Sequence, residues 1–223
     1  MEGAFSDSYK FMNAEIVRYV TSVKKRPVRI LDIGSGSGEV TTKYLAGLDE
    51  YEIHGLDVVR PEKNPQIIFT ECNLEDAVFP FEDNSFDIVI AGQTIEHLIN
   101  KDALLEQSYR VLKTGGFFIC STENIASFDN ILSLVLGQEP QVQNTGSKLN
   151  TSSFLSPNYM RPVGPNGNKY LHKNVNSYCG LQRLCKVNGF KNLKIKSFGN
   201  IVKIIEKIFP IYNRVLVVYG VKN

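Results

Sequence analysis

A glycine-rich turn directly after an apolar segment constrains this chain more than any other feature. The segment at 28–33 is apolar on both faces and runs into LDIGSGSGEVT at 31–41. A strand that is apolar on both faces is typical of a parallel sheet covered by helices on each side. The glycines let the backbone turn sharply and approach a ligand closely. A helix pattern follows at 40–48, so its N-terminal amides point at the same place.

Strand and helix patterns alternate along most of the remaining chain. An amphipathic N-terminal helix is expected to end near Arg26-Pro27. The alternation predicts an open, doubly wound α/β sheet with right-handed crossovers. Further strands are predicted at 51–58, 67–71, 85–91, 117–122, 193–198 and 215–221, and further helices at 101–113, 124–136, 177–188 and 201–209.

One segment, 138–176, departs from this alternation. It is rich in Asn, Ser, Pro and Gly and has no clear period. A long segment of this kind inside a compact domain is usually a lid, a binding loop or disordered. We therefore expect a single domain over 1–223, with a ligand-binding core at 28–124, an irregular lid or substrate segment at 138–176, and a C-terminal helix and strands at 177–223.

The net charge of +2 hides an asymmetry between the two parts of the chain. Residues 1–137 carry a net charge of −9 and residues 138–223 a net charge of +11. A solvated basic surface explains this excess. The alternative is that the basic part attracts an anionic partner: a phosphorylated small molecule, RNA or an acidic membrane surface.

Cysteine usage indicates the compartment. Cys72, Cys120, Cys179 and Cys185 form no CxxC pair, so we expect reduced thiols in a cytoplasmic protein rather than a disulfide or metal framework. No metal site is expected. The acidic N-terminus and the short apolar stretches predict neither a signal peptide nor a membrane span. The oligomeric state leaves no mark in the sequence.

The details of the turn select among nucleotide-like ligands. Its spacing is GxGxG, and Glu39 stands where a dinucleotide-binding GxGxxG turn has its last glycine. That carboxylate would repel a pyrophosphate. Asp32, two residues before Gly34, suits a cationic amino acid better than a phosphate. A GK[ST] sequence is missing as well, which excludes the phosphate-binding loop of nucleoside triphosphatases.

Two further positions can anchor a nucleoside. Asp57 ends the second predicted strand, where a carboxylate can accept both hydroxyls of a ribose. Asn73, after the third strand, can bond the amino edge of an adenine. Dinucleotide enzymes share the first feature, so it does not decide the ligand alone.

These segments together resemble the core of the class I S-adenosylmethionine-dependent methyltransferases, of the small-molecule type. LDIGSGSGEVT is similar to the first motif of that family, and HGLDV to its ribose-binding strand end. FPFEDNSFDIVIAGQTIEHL and LLEQSYRVLKTGGFFICSTEN resemble the segments that follow in the same order, and NRVLVVYGVKN resembles the last strand. The resemblance implies a Rossmann-like, mostly parallel sheet of seven strands, with the last one antiparallel.

The resemblance also implies a role for individual residues. S-adenosylmethionine would be the cofactor and S-adenosylhomocysteine the product. The methionine moiety would lie against the turn, the ribose at the second strand, the adenine between the second and third strands, and the sulfonium after the fourth. The residues implied are Asp32, Gly34, Ser35, Gly36, Gly38, Asp57, Val58, Asn73, Leu74, Gln93, Thr94 and Ile95. Asn73 departs from the family, which often has Asp there.

The acceptor side has weaker signals. His97 is the candidate for a general base or an acceptor contact, while a polar helix start explains it without chemistry. Glu96 ranks below it, His172 could reach an acceptor from the irregular segment, and His54 is expected to be structural.

The sequence therefore predicts methyl transfer to a small or carrier-linked acceptor, with an anionic acceptor among the options: a sugar, a phosphorylated intermediate or a secondary metabolite. RNA methylation, peripheral membrane contact and a non-catalytic role as a partner subunit stay open as alternatives.

Overall fold

The structure is a computed structural model, and it describes residues 2–38, 41, 45, 49–59, 64–75, 78–142, 172–199 and 208–223. The helices are α1 (Glu2–Ser22), α2 (Lys101–Val111), α3 (Phe128–Val135) and α4 (Tyr178–Val187). The strands are β1 (Val28–Ile33), β2 (Tyr51–Asp57), β3 (Ile67–Glu71), β4 (Phe86–Gly92), β5 (Leu112–Glu123), β6 (Lys194–Phe198) and β7 (Val215–Val221). Short 3-10 turns lie at Ile95–His97 and Pro210–Tyr212. Within these ranges, no helix has both the length and the apolar character needed to cross a membrane.

The seven strands form one sheet in the order β3-β2-β1-β4-β5-β7-β6. The pairs from β3 to β5 are parallel, and β7 runs antiparallel to both β5 and β6. The predicted Rossmann-like sheet with one antiparallel strand is therefore confirmed. Strand order reverses direction between β1 and β4, so the loops that follow these two strands diverge and leave a crevice at their carboxyl ends.

The core lies on both faces of the sheet, which is why β1 is apolar on both sides. On one face the α1 residues Met12, Ile16 and Val20 are buried against β1, β4 and β5. On the other face Leu104 and Leu105 of α2 pack with residues of β4, β5 and α4. The sheet is thus held rigidly at the edge where the loops of the site emerge.

The region after β5 differs from the prediction. Helix α3 begins at Phe128 with Ser127 at its N-cap position, rather than at Asn124. The Asn124 side chain instead donates hydrogen bonds to the carbonyls of Ile211 and Asn213, at 2.9 and 2.6 Å, and so ties the end of β5 to the segment before β7. A partner almost 90 residues away leaves no mark in the local sequence.

Strand β5 begins at Leu112, five residues before the predicted start, because Leu112 pairs with Phe86 of β4. Gly115 and Gly116 then bond Lys222 through their backbones. Most of the predicted irregular segment, the predicted helix at 201–209 apart from its end, and most of the predicted helix at 40–48 lie outside the described residues.

Candidate active site

The glycine turn after β1 is shaped by backbone strain and by close packing. Gly34 and Gly36 have φ angles of +69° and +51°, in the left-handed region that favours glycine. A Cβ at Gly34 would overlap the Thr94 side chain, whereas a Cβ at Gly36 would meet open space. Gly34 therefore allows the turn to pack on the loop after β4, and Gly36 presents bare backbone to the crevice.

Asp57, at the end of β2, holds this turn in place. One of its carboxylate oxygens accepts a hydrogen bond from the Gly36 backbone N–H at 2.9 Å, and the other accepts from Val58 at 2.7 Å. The sequence predicted a carboxylate for a ribose at this position. The structure adds a second role, because the same side chain fixes the conformation of the neighbouring turn.

Asp32 lies at the end of β1 and is only 6% exposed. The Thr41 hydroxyl donates a hydrogen bond of 2.6 Å to its carboxylate. Burial raises the pKa of Asp32 to about 6, and the charge of Asp57 adds to that increase, while the bond from Thr41 opposes it. A cationic ligand bound beside Asp32 lowers this pKa again and stabilises the ionised carboxylate.

A cavity of about 310 Å³ opens in front of these groups. Helix α1 forms one wall of it, a contribution that the sequence analysis did not foresee. The lining residues include Tyr9, Met12, Ile16, Asp32, Gly34, Ser35, Gly36, Ser37, Thr41, Ile90, Gly92 and Gln93. This volume is within the range of small-molecule sites.

Two local features mark the cavity as a binding site. Gln93 has a φ of +53°, unusual for a residue with a side chain, and its backbone N–H is held by the Ser121 carbonyl at 3.0 Å. Backbone strain of this kind clusters at functional sites. The Ser35 hydroxyl is buried and has no hydrogen-bond partner among the described residues.

The remaining predicted cofactor residues, Asp57 among them, are not part of the lining of this cavity. Thr94 is buried and donates to the Ile33 carbonyl at 3.0 Å, and Ile95 is fully buried below it. Asn73 accepts from the Glu75 backbone N–H at 3.1 Å, next to the buried Leu74. Val58 is 54% exposed. The roles of these residues and of Gly38, whose N–H bonds the Ser35 carbonyl at 2.7 Å, stay predictions.

A second group of polar side chains lies just beyond Gln93. Glu96 is fully buried, and burial raises its pKa to about 7. The rings of His97 and His172 lie with their centroids 5.0 Å apart. Glu123, at the end of β5, pairs with Nδ1 of His172 at 3.0 Å. We call Glu96, His97, Glu123 and His172 the acceptor cluster.

His172 carries the positive charge of this cluster. Burial alone lowers its pKa, but the hydrogen bond and the charge of Glu123 outweigh that effect and raise the pKa to about 9. Its Nδ1 also donates to the Val142 carbonyl at 2.7 Å. The sequence placed His97 and His172 as separate candidates, and the structure brings them together.

Tyr9 of α1 is part of the cavity lining. Burial raises the pKa of its phenol, and the charges of Glu96 and Asp32 raise it further. The phenol is therefore influenced by one carboxylate from each part of the site. Tyr9 lies 23 residues upstream of Asp32, in an amphipathic helix, and the sequence gives no signal for such a role.

Comparison with known proteins gives this geometry a family. The profile described as "Methyltransferase domain" matches residues 31–120, which contain the glycine turn, Asp57 and the acceptor-side turn at 95–97. The match and the relatives below identify a class I S-adenosylmethionine-dependent methyltransferase domain in this part of the chain. The recognition made from the motifs is confirmed, and with it the cofactor of the family, S-adenosylmethionine.

Curated relatives share the core of this chain. It is 34% identical to the ubiquinone/menaquinone biosynthesis C-methyltransferase UbiE of Bartonella henselae, over 41% of this chain and 40% of the relative. It is 27% identical to the mitochondrial ubiquinone biosynthesis O-methyltransferase of Rattus norvegicus, over 63% of this chain and 44% of the relative. The chain thus spans less than half the length of these relatives.

Solved structures share the fold at low identity. The C-methyltransferase domain of the citrinin polyketide synthase superposes with a TM-score of 0.62 and 15% identity, over 96% of this chain and 52% of that one. Phosphoethanolamine N-methyltransferase 2 of Haemonchus contortus, in complex with S-adenosylmethionine, gives 0.55 and 17%, over 95% and 52%. These similarities show the fold alone.

The residues of the cavity fit the cofactor. S-adenosylmethionine carries a cationic amino group and a sulfonium, and the buried Asp32 provides the complementary charge. The open backbone at Gly36 offers polar contacts to the methionine moiety.

Proposed function

We propose that the chain transfers a methyl group from S-adenosylmethionine to a small or carrier-linked acceptor whose attacking oxygen or carbon must lose a proton. The observation that carries this proposal is the cavity lined by the buried Asp32 and by Gln93, the residue that the turn with Glu96 and His97 follows along the chain. The cofactor supplies an activated methyl group when bound, so the protein has to align and desolvate the two partners.

The cofactor half of the site binds the cofactor and shields it from water. Asp32 pairs with the amino group of the methionine moiety, and the Asp57 carboxylate keeps acceptor capacity for a ribose besides its bonds to the turn. Met12 and Ile16 of α1 cover the cavity with apolar surface. Exclusion of water strengthens the electrostatic interactions inside the site.

The acceptor half supplies a side chain that can take the proton lost by the methyl acceptor. His97 follows β4 on the same side as Gln93, and its role as a base or acceptor contact is the one that the sequence suggested. The relatives named above carry out C- and O-methylation by their names, which supports an acceptor with an acidic C–H or O–H. Proton removal by a positioned side chain contributes about 10²- to 10⁴-fold to such reactions.

An anionic acceptor is supported by the basic C-terminal part of the chain. Around the acceptor cluster, however, two of the cations are paired: His172 with Glu123, and Lys173 with Glu75 at 2.8 Å. A neutral acceptor with an ionisable proton therefore suits the described residues as well as an anionic one.

Cofactor binding tests the first half of this proposal. Isothermal titration and thermal melting with S-adenosylmethionine, S-adenosylhomocysteine and NAD should give binding for the two adenosyl compounds only, since a ligand of the folded state raises the melting temperature by mass action. Asp57→Ala should remove the response, whereas Glu82→Ala, an exposed carboxylate before β4, should keep it. Binding of NAD alone would contradict the proposal.

The acceptor is identified by activity. The protein with labelled S-adenosylmethionine is incubated with metabolite extracts and, in parallel, with total RNA, and methylated products are found by mass spectrometry. Label in a small or carrier-linked molecule, lost in His97→Gln while cofactor binding persists, supports the proposal. Label in RNA alone would overturn the acceptor class.

A further inference from the structure

We propose that Glu96, His97 and His172 form a binding site for one divalent transition-metal ion of the Zn²⁺ type. One potential ligand atom from each of these three side chains lies within 4.8 Å of the others. Two imidazole nitrogens and one carboxylate oxygen are a donor set that suits Zn²⁺, and three protein ligands leave a coordination position open, as in catalytic zinc sites.

The first argument is the state of Glu96. Its side chain is fully buried, and neither carboxylate oxygen has a hydrogen-bond partner among the described residues. A buried carboxylate without partners is strongly unfavourable, and buried charges in proteins are paired or coordinate metals. Lys101 is another cation in the electrostatic field of Glu96, but its ammonium is buried as well and makes no hydrogen bond in the described part of the chain.

The second argument is the way His172 is held. Its Nδ1 is engaged by the Val142 carbonyl at 2.7 Å and by Glu123 at 3.0 Å, which leaves Nε2 as the nitrogen available to a ligand. A metal-binding histidine almost always donates its other ring N–H to a carboxylate or a backbone carbonyl. The Val142 carbonyl is such a partner, and the Glu123 carboxylate lies close to the same nitrogen as a counter-charge.

The third argument is that the backbone around the cluster is fixed before any ion binds. The Glu96 carbonyl accepts hydrogen bonds from the Lys173 and Asn174 backbone N–H groups, at 2.9 and 3.2 Å. The segment that carries His172 is thereby attached directly to the turn that carries Glu96 and His97. Small side-chain adjustments suffice to bring three such groups around one ion.

The same geometry admits a simpler occupant, a proton. With His172 protonated, its imidazolium balances Glu123 and, through space, Glu96. The buried and unpartnered oxygens of Glu96 favour the metal, because a charge at a distance does not satisfy them. The proton is the competing outcome of the experiment below.

The role of the ion rests on the proposed function. An ion at this position binds an oxygen of the acceptor and makes its proton easier to remove, since a bound metal lowers the pKa of an oxygen ligand. On this assignment His97 acts through the ion rather than as a free base. The expectation of no metal came from the sequence alone, in which His97 and His172 are too far apart to form a spacing motif.

Direct metal binding is the test. The full chain without an affinity tag, carrying Cys179→Ser to remove the exposed thiol, is stripped with a chelator and titrated with Zn²⁺ by calorimetry. Co²⁺ is added in a parallel experiment, because its visible absorption reports coordination by the protein. Variants Glu96→Gln and His172→Gln are compared with His54→Gln, a histidine of β2 that pairs with Glu52 and is not part of the acceptor cluster.

The site predicts one equivalent of Zn²⁺, with an affinity that falls by at least about 100-fold in Glu96→Gln and His172→Gln and is unchanged in His54→Gln. Glu123→Gln should weaken binding by about 10- to 100-fold, the effect typical of partners that orient a ligand. Equal binding in all variants, or no stoichiometric binding and no Co²⁺ spectrum in the starting protein, would overturn the metal and leave the protonated His172.

Titration of the stripped protein with S-adenosylhomocysteine separates this inference from the proposed function. If the cofactor product binds and zinc does not, the metal site alone is wrong. If zinc binds and no adenosyl compound does, the proposed function is wrong and the metal site stands.

Discussion

The two halves of the site are built in opposite ways. The cofactor half comes from short, contiguous stretches: the turn at 32–38 and the end of β2 at Asp57. The acceptor half joins the turn after β4 to Glu123 and to His172, a residue 75 positions after His97. Local backbone conformation positions the groups of the cofactor half, and tertiary contacts position those of the acceptor half. A mutation in each half should therefore fail in a different way.

The largest effect is expected at Gly34. Gly34→Ala forces an L-residue into a φ of +69° and drives its Cβ into the Thr94 side chain. Strain and overlap together should lower the free energy of unfolding by roughly 3–5 kcal/mol, measured by urea denaturation.

Gly36→Ala is the matched control for that prediction. It has a similar φ of +51° but open space at the Cβ, so it should cost only about 1–2 kcal/mol while it weakens cofactor binding. Similar unfolding costs for the two variants would show that the approach to Thr94 does not constrain the turn.

Asp32 should lower the stability of the cofactor-free protein and strengthen the binding of the cofactor. Its pKa in the folded protein is about 6, against an ordinary value of 3.8, so between these pH values the folded state retains a proton that the unfolded chain has released. The free energy of unfolding should therefore fall as the pH rises from about 4 to 6. Asp32→Asn should remove the contribution of Asp32 to this slope, leave that of the buried Glu96, and stabilise the cofactor-free protein at pH 8 by up to about 3 kcal/mol.

The same variant should bind S-adenosylmethionine poorly, because the amide cannot neutralise the cationic methionine moiety. Chemical denaturation at several pH values and calorimetry with the cofactor give the two readouts. A wild-type stability that is flat from pH 4 to 6 would contradict the burial argument for Asp32.

The contrast between the halves also explains what the sequence could predict. The bounds of β1, β3 and β7 match their apolar runs, and Asp32, Gly34, Ser35, Gly36 and Gln93 line one cavity. These features depend on local conformation: two-sided apolar strands, a turn that requires positive φ, and polar residues at strand ends. Parallel strands then bring those ends together at one edge of the sheet.

What the sequence could not predict depends on partners that are distant along the chain. Tyr9 joins the site because α1 packs across β1 and β4, and His172 joins it because Lys173 and Asn174 bond the Glu96 carbonyl. Neither contact has a spacing signature.

Helix α3 shows the same limit in its orientation. Its buried residues are polar, Asp129, Asn130 and Ser133, and Asp129 pairs with Arg214 at 3.0 Å. Its apolar residues Ile131, Leu134 and Val135 are exposed. Periodicity alone predicts the opposite orientation, with the apolar residues buried and the polar ones exposed.

Tyr9 should connect the two halves with a moderate effect. Tyr9→Phe keeps the ring against the cavity and removes the hydroxyl that both Asp32 and Glu96 influence. We expect turnover to fall by up to about tenfold, the equivalent of one hydrogen bond, with little change in the binding of S-adenosylhomocysteine. An equal loss in both measurements would place Tyr9 in the cofactor half alone.

The smallest effect is expected at the exposed ion pair beside the acceptor cluster. Lys173 and Glu75 pair at 2.8 Å, but the lysine side chain is 46% exposed, so solvent screens the pair. Lys173→Met should change the free energy of unfolding by less than about 1 kcal/mol. Because the Lys173 backbone N–H still bonds the Glu96 carbonyl, cofactor affinity should not change, and the KM of the acceptor should rise only a few-fold, less so at high salt. If the variant instead abolished turnover, the side-chain pair and not the backbone bonds would position His172, and the acceptor half would depend on surface charge far more than its buried contacts indicate.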